Sequence, residues 1–243
     1  MSSSAVRVGI VIVTYGIIPE KLLKSIEGTS NKITYYIYHH GSESLAKELT
    51  EFFSLNENAK LYLYCENRGL AKSWNEGILQ SFTDNNDVTL VLNDDIEFFT
   101  NMFDGWISYI LNSGNAALVF CHGIDEIGGS KTERSQDFAC FSIRKPCFDI
   151  VGAFDERFSP AYYEDTDYYR RVVLSKLIVK TDTTVRIRHE RSSTIRNNPE
   201  IANDLHRFFE INKVLYYSKW GQHEEFELPY NNPSENLYID FKK

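Results

Sequence analysis

The sequence predicts an α/β domain built on a Rossmann-like, mainly parallel β-sheet flanked by helices. Three observations carry this expectation. An almost unbroken β-branched run, Val6 to Thr14, reads as a strand buried on both faces, as parallel sheets covered by helices require. Strand-like and helix-like segments then alternate as far as residue 95, the order of a doubly wound sheet. Finally, paired acidic residues follow directly on an apolar strand, at the edge where such sheets bind ligands.

Element by element, Pro19 opens a helix after the first strand, with Leu22, Leu23 and Ile26 on one face and Gly28 as its stop. Ile33 to Tyr38 is the second strand, Ser44 to Phe53 the second helix and Ala59 to Tyr64 the third strand. Leu70, Trp74, Ile78 and Phe82 recur at helical spacing, and Val88 to Leu92 is a fourth strand running into Asn93-Asp94-Asp95. Beyond it a helix is expected over Met102–Leu111, strands over Ala116–Phe120 and Phe138–Ile143, and a Gly-rich polar loop, Gly123 to Ser135, between them. A helix over Glu164–Leu174, a short strand over Val185–Arg188 and a long amphipathic helix over Asn203–Tyr217 complete the pattern, before an acidic, aromatic tail from Gly221 onward. The expected organisation is one domain in two halves, 1–98 for a nucleotide and 99–220 for an acceptor and the catalytic groups, with 221–243 as a tail.

Composition bounds the partners. With 243 residues, 42% apolar and 25% charged, the chain supports a core of ordinary size. A formal net charge of −8 argues against a nucleic-acid surface, which draws on clustered Lys and Arg. The four cysteines, Cys65, Cys121, Cys140 and Cys147, form no CxxC pair, so reduced thiols of a cytoplasmic protein are expected. The run Val6 to Val13 is too short for a signal or a membrane span, although association with a membrane through a partner stays open.

Three clusters carry chemistry. Asp94 and Asp95 at the open end of a buried strand repel each other, and a hard divalent cation offsets that repulsion. An acidic turn is the alternative. Tyr163-Glu164-Asp165-Thr166-Asp167 opens a helix, as a capped first turn or as a general base whose proton affinity neighbouring carboxylates raise. His189 ends a short strand, as a structural imidazole or as a ligand suited to Mn²⁺ beside oxygen donors. The aromatic residues Phe154, Phe158, Tyr162, Tyr163, Tyr168 and Tyr169 are expected mostly to fill the core, some of them stacking on a sugar.

In this order, the stretches IVIVTYG (Ile10–Gly16), ENRGLAKSWNEGI (Glu66–Ile78), LVLNDDIEF (Leu90–Phe98), VGAFDERFSPAYYEDTDYYRR (Val151–Arg171) and RHERSS (Arg188–Ser193) resemble inverting glycosyltransferase family 2, with the GT-A fold and its rhamnosyltransferase-like branch. The resemblance implies that Thr14 and Tyr15 line the base and ribose pocket, and that Asn67, Arg68, Gly69 and Asn75 help hold the donor nucleotide. It implies a DXD-type motif with Asp94 near the ribose and Asp95 on Mn²⁺ or Mg²⁺, and His189 as a second metal ligand. It also makes Asp165 the catalytic base, with Glu164 orienting the acceptor or its neighbour. One departure is His39-His40-Gly41-Ser42, standing where the family has an Asp that pairs with the pyrimidine base. An imidazole does not reproduce that carboxylate, so His39 faces a base of uridine, thymidine or guanosine type. The implied activity is transfer of a hexose such as rhamnose from a UDP or dTDP donor to a glycan or glycoconjugate hydroxyl. A sugar nucleotidylyltransferase would need a basic Gly-rich loop after the first strand, and Tyr15-Gly16-Ile17-Ile18-Pro19 has none. A non-catalytic nucleotide-sugar-binding module is the other alternative.

Overall fold

The computed structural model describes residues 5–127, 130–134, 138–190 and 199–221. Its first half follows the expected alternation: β1 (Arg7–Thr14), α1 (Glu20–Ser25), β2 (Lys32–His40), α2 (Glu43–Phe52), β3 (Ala59–Tyr64), α3 (Leu70–Thr83) and β4 (Val88–Asn93). The second half comprises β5 (Ile96–Phe98), α4 (Phe103–Asn112), β6 (Leu118–Ile127), β7 (Ser130–Arg134), β8 (Cys140–Ile143), α5 (Lys145–Val151), α6 (Glu164–Leu174), β9 (Val179–His189) and α7 (Pro199–Trp220). One nine-stranded sheet runs β3-β2-β1-β4-β8-β6-β9-β5, with β7 paired to β6. Strands β1 to β4 are mutually parallel, β8 is inserted antiparallel, and β6 and β9 resume the direction of β4.

Two apolar cores explain why the sheet reads as continuous hydrophobic runs. On one face Ile10, Ile12, Leu90 and Leu92 meet Leu22 of α1, Leu49 of α2 and Trp106 of α4. On the other, Val11, Val91, Phe120 and Phe141 meet Trp74 of α3 and Tyr168 of α6. A Cβ at Gly77 would lie 2.4 Å from Val11 Cγ1, so glycine there lets α3 sit close on β1. The α6 helix runs against the parallel strands. Tyr169 at its middle approaches Phe138 beside the carboxyl end of β4, whereas Leu177 beyond its end lines a cavity with Val88 and Thr89 at the strand's beginning. The amino end of α6 therefore lies at the carboxyl edge of the sheet.

Several expectations change. The loop expected over Gly123–Ser135 contains a hairpin: β6 continues to Ile127 and β7 returns from Ser130, pairing Gly123 with Arg134. The sequence hid it because most of its residues are polar. The short strand Val185–Arg188 is the end of an eleven-residue β9, disguised by a register shift at which the Asp182 carboxylate accepts from Thr184 N at 2.8 Å. Strand β2 runs on through His39 and His40, which were expected after it. Strand β5 and helix α5 were not anticipated. The tail beyond Gly221 and residues 191–193 of RHERSS lie outside the described residues.

Candidate active site at the carboxyl edge of the sheet

Strand β4 delivers Asp94 and Asp95 to the sheet edge, and the turn they form leads into β5. Because β5 pairs antiparallel with the end of β9, Ile96 opposite His189, the residue before Ile96 is brought beside that histidine. His189 Nε2 stands 3.1 Å from Asp95 Oδ1, and both side chains are about nine-tenths buried. Glu190 N donates to Asp95 O at 3.0 Å, fixing the turn from the other side. Tyr15 N, at the end of β1, donates to Asp94 Oδ2 at 3.3 Å. Burial, and then the Asp95 carboxylate, push the Asp94 carboxyl well above the ordinary range, against the Tyr15 N–H and His189, which lower it. Such a cluster gains most from a cation. A carboxylate and an imidazole side by side make a donor set suited to Mn²⁺. Among the described residues no group of three His, Cys, Asp or Glu gathers as a metal cage.

The second acidic cluster opens α6. Tyr162 and Tyr163 precede it with φ of 78° and 70°, a left-handed conformation uncommon outside glycine. Glu164 is 4% exposed, and its buried Oε2 has no hydrogen-bond partner among the described residues. Burial first, then the charge of Asp165, raise its carboxyl well above the usual value. Asp165 is only half-buried, and its Oδ1 accepts from Thr166 N at 2.6 Å. Asp167 is fully enclosed by Arg171 at 2.9 Å, Lys219 at 2.7 Å and the Trp220 indole at 2.8 Å, a tie between α6 and α7. Of the aromatic residues here, Phe154, Phe158 and Tyr168 belong to the core, while Tyr162, Tyr163 and Tyr169 keep some exposure.

The residues expected to hold the nucleotide divide into two sets. Thr14 and His39 are fully buried. Thr14 Oγ1 lies 3.2 Å from His39 Nδ1, and His39 Nε2 lies 3.2 Å from Ser42 O. A carbonyl only accepts, so Nε2 donates to Ser42 O. Each spends its polar atoms on the other and on the Ser42 turn, below the surface. Asn75 is likewise turned inward and 3% exposed, its Nδ2 donating to Phe154 O at 2.9 Å and its Oδ1 accepting from Phe154 N at 2.8 Å. It supports the loop before α6 through both Phe154 main-chain groups.

The second set stays closer to the surface. Tyr15 keeps partial exposure, and its ring would stand 3.7 Å from a Cβ at Gly41. Asn67 Oδ1 accepts from Gly69 N at 3.0 Å, and Gly69, at φ 87°, starts α3. Arg68 lies 4.0 Å over the Tyr64 ring and is held bidentately by Glu76 at 2.7 and 3.2 Å. This turn meets the acid loop directly, because Leu70 N donates to Pro160 O at 2.8 Å. Sequence reasoning missed His40, which is buried with Nε2 2.9 Å from Ser73 Oγ, and Asn212 of α7. The first is visible only as half of a histidine pair, and the second carries no signal in the sequence.

No protein-family model matches the sequence, and no curated protein matches it. Solved structures do match in fold. One is GalNAc-T7 with UDP, GalNAc and Mn²⁺, at 12% identity and a TM-score of 0.59 over 78% of this chain and 44% of that one. Another is TarS of S. aureus, at 13% identity and a TM-score of 0.59 over 76% and 37%. A third is the mannosyltransferase PcManGT from Pyrobaculum calidifontis in complex with GDP-Man and Mn²⁺, at 12% identity and a TM-score of 0.58 over 79% and 59%. This chain therefore spans less than two thirds of the length of each. The likeness identifies the fold as GT-A.

Proposed function

We propose that this chain is a metal-dependent, inverting glycosyltransferase of family 2 type, moving a hexose from a nucleoside-diphosphate donor to a glycan or glycoconjugate hydroxyl. One observation carries the reading: the Asp95–His189 pair and the Glu164–Asp165 start of α6 lie at the same edge of the sheet. In the proposal residues 1–98 hold the nucleotide and 99–220 the acceptor, and the protein works in the cytoplasm. No helix among the described residues is long and apolar enough to cross a membrane.

Asp95 and His189 would hold Mn²⁺ or Mg²⁺, which when bound neutralises charge on the leaving diphosphate. Asp94, fixed by Tyr15 N, would accept from the ribose, and the Asn67–Gly69 turn with Arg68 would flank the nucleotide. Asp165, the more exposed carboxylate, takes the acceptor proton while Glu164 orients its neighbour. Attack opposite the leaving group in one displacement inverts the anomeric centre. Uridine or thymidine as base, and rhamnose as sugar, rest on the motif resemblance.

The test is release of nucleoside diphosphate from UDP-, dTDP- and GDP-sugars with Mn²⁺ and an acceptor, with the anomeric configuration of the product read by NMR. Asp165→Asn is expected to lower turnover roughly 10²–10⁴-fold while donor binding stays near wild type. Turnover by Asp165→Asn at the wild-type rate removes the base assignment, and a retained configuration removes inversion.

A further inference from the structure

The acid loop holds two consecutive non-glycine residues, Tyr162 and Tyr163, in the left-handed region. That conformation persists only where the surroundings over-determine it. Helix α7 supplies those surroundings from one face. Phe209 sets its ring 5.5 Å from Tyr162 and 5.2 Å from Tyr163, and Tyr216 lies 5.4 Å from Tyr163. Between these rings Asn212, 1% exposed, points Nδ2 at Ala161 O (2.8 Å) and Tyr162 O (3.1 Å), with Ser159 O at 3.5 Å. Only an NH₂ group can face a cluster of carbonyl oxygens, so the orientation of the amide follows from its neighbours. Beyond the loop, Tyr163 O accepts from Asp167 N at 2.9 Å and starts α6.

We propose that Asn212 is the positioning residue of the acid loop, holding Ala161 and Tyr162 so that Glu164 and Asp165 present their carboxylates in one orientation. An apolar residue would fill the space between Phe209 and Tyr216 equally well, and helix docking alone gives no reason for an amide there. What the amide adds is a fixed direction for two main-chain carbonyls immediately before the acidic pair. The inference rests on the reading of Asp165 as the base. Its physical content, the dependence of the loop conformation on Asn212, is measurable without that reading.

The test compares Asn212→Ala, which has no donor, with Asn212→Ser, which keeps one hydroxyl donor. With the nucleotide sugar the wild type turns over, Asn212→Ala is expected to lose about 10- to 100-fold in kcat, with KM for the donor within about twofold, since small misplacements of a reacting group cost on that order. Asn212→Ser is expected to recover part of that loss. A series in which kcat follows Tm instead of the number of donors overturns the proposal, as does a folded Asn212→Ala protein with wild-type kcat. Crystal structures of both variants report φ at Tyr162 and Tyr163 directly. Should the wild type turn over no nucleotide sugar, the functional reading fails by itself. Positive φ at both tyrosines in Asn212→Ala would then overturn the positioning role separately.

Discussion

His189 Nε2 lies 3.1 Å from Asp95 Oδ1, although the two residues lie 94 positions apart in the sequence. The antiparallel pairing of β5 with the end of β9 creates this contact, and both groups come from a strand end at the same sheet edge. In the proposed function these two groups would turn from each other to a cation.

Removing one member tests this arrangement. Asp95→Ala is expected to weaken Mn²⁺-dependent binding of UDP, dTDP or GDP by roughly 10–100-fold or more. Calorimetric titration with and without Mn²⁺ measures it. Equal nucleotide affinity in the variant and the wild type, each with Mn²⁺, would rule out Asp95 as a ligand.

Glu164 makes a prediction about pH. Burial and the charge of Asp165 raise its carboxyl in the folded protein, so the folded chain holds that proton more tightly than the unfolded chain does. Folding is then favoured at low pH, and stability falls as pH rises above the ordinary carboxylate range. Glu164→Gln should raise Tm at pH 8 and leave it nearly unchanged at pH 4. A lower Tm for the variant at pH 8 would contradict the assigned direction.

His40 behaves in the opposite sense. Burial, then the charges of Arg68 and His39, lower its pKa from 6.5 to about 4. The unfolded chain takes up the proton first, so this group costs stability as pH falls from 6.5 toward 4. His40→Gln, which does not titrate, should show a smaller drop in urea midpoint between pH 7 and pH 4.5 than the wild type.

Asn75 is expected to act on stability first. Asn75→Ala leaves the buried Phe154 N and O without the partners that now stand at 2.8 and 2.9 Å. The expected cost is about 1–3 kcal/mol for each orphaned group, read from denaturant unfolding. Unchanged stability together with lost nucleotide binding would return Asn75 to a direct ligand role.

The first half of the fold was legible because the central parallel strands β1 and β4 are buried on both sides and read as hydrophobic runs. Val11 and Ile12 point to opposite cores and are both fully buried. The β6–β7 hairpin and the first part of β9 escaped because main-chain pairing, not side-chain pattern, holds their polar residues in the sheet.

By itself the sequence determined the order of the strands and helices through residue 95, the placing of Asp94 and Asp95 at a strand end, and the acidic start of α6. These are local properties, set by periodicity and by which residues end a run. Only the tertiary structure decided that Asp95 meets His189, that Thr14 and His39 are turned against each other below the surface, and that Asn75 and Asn212 hold the loop before Glu164. Such outcomes depend on which polar groups the folded chain leaves without water. A buried donor takes whichever acceptor the packing brings within reach, and a linear pattern does not record that choice.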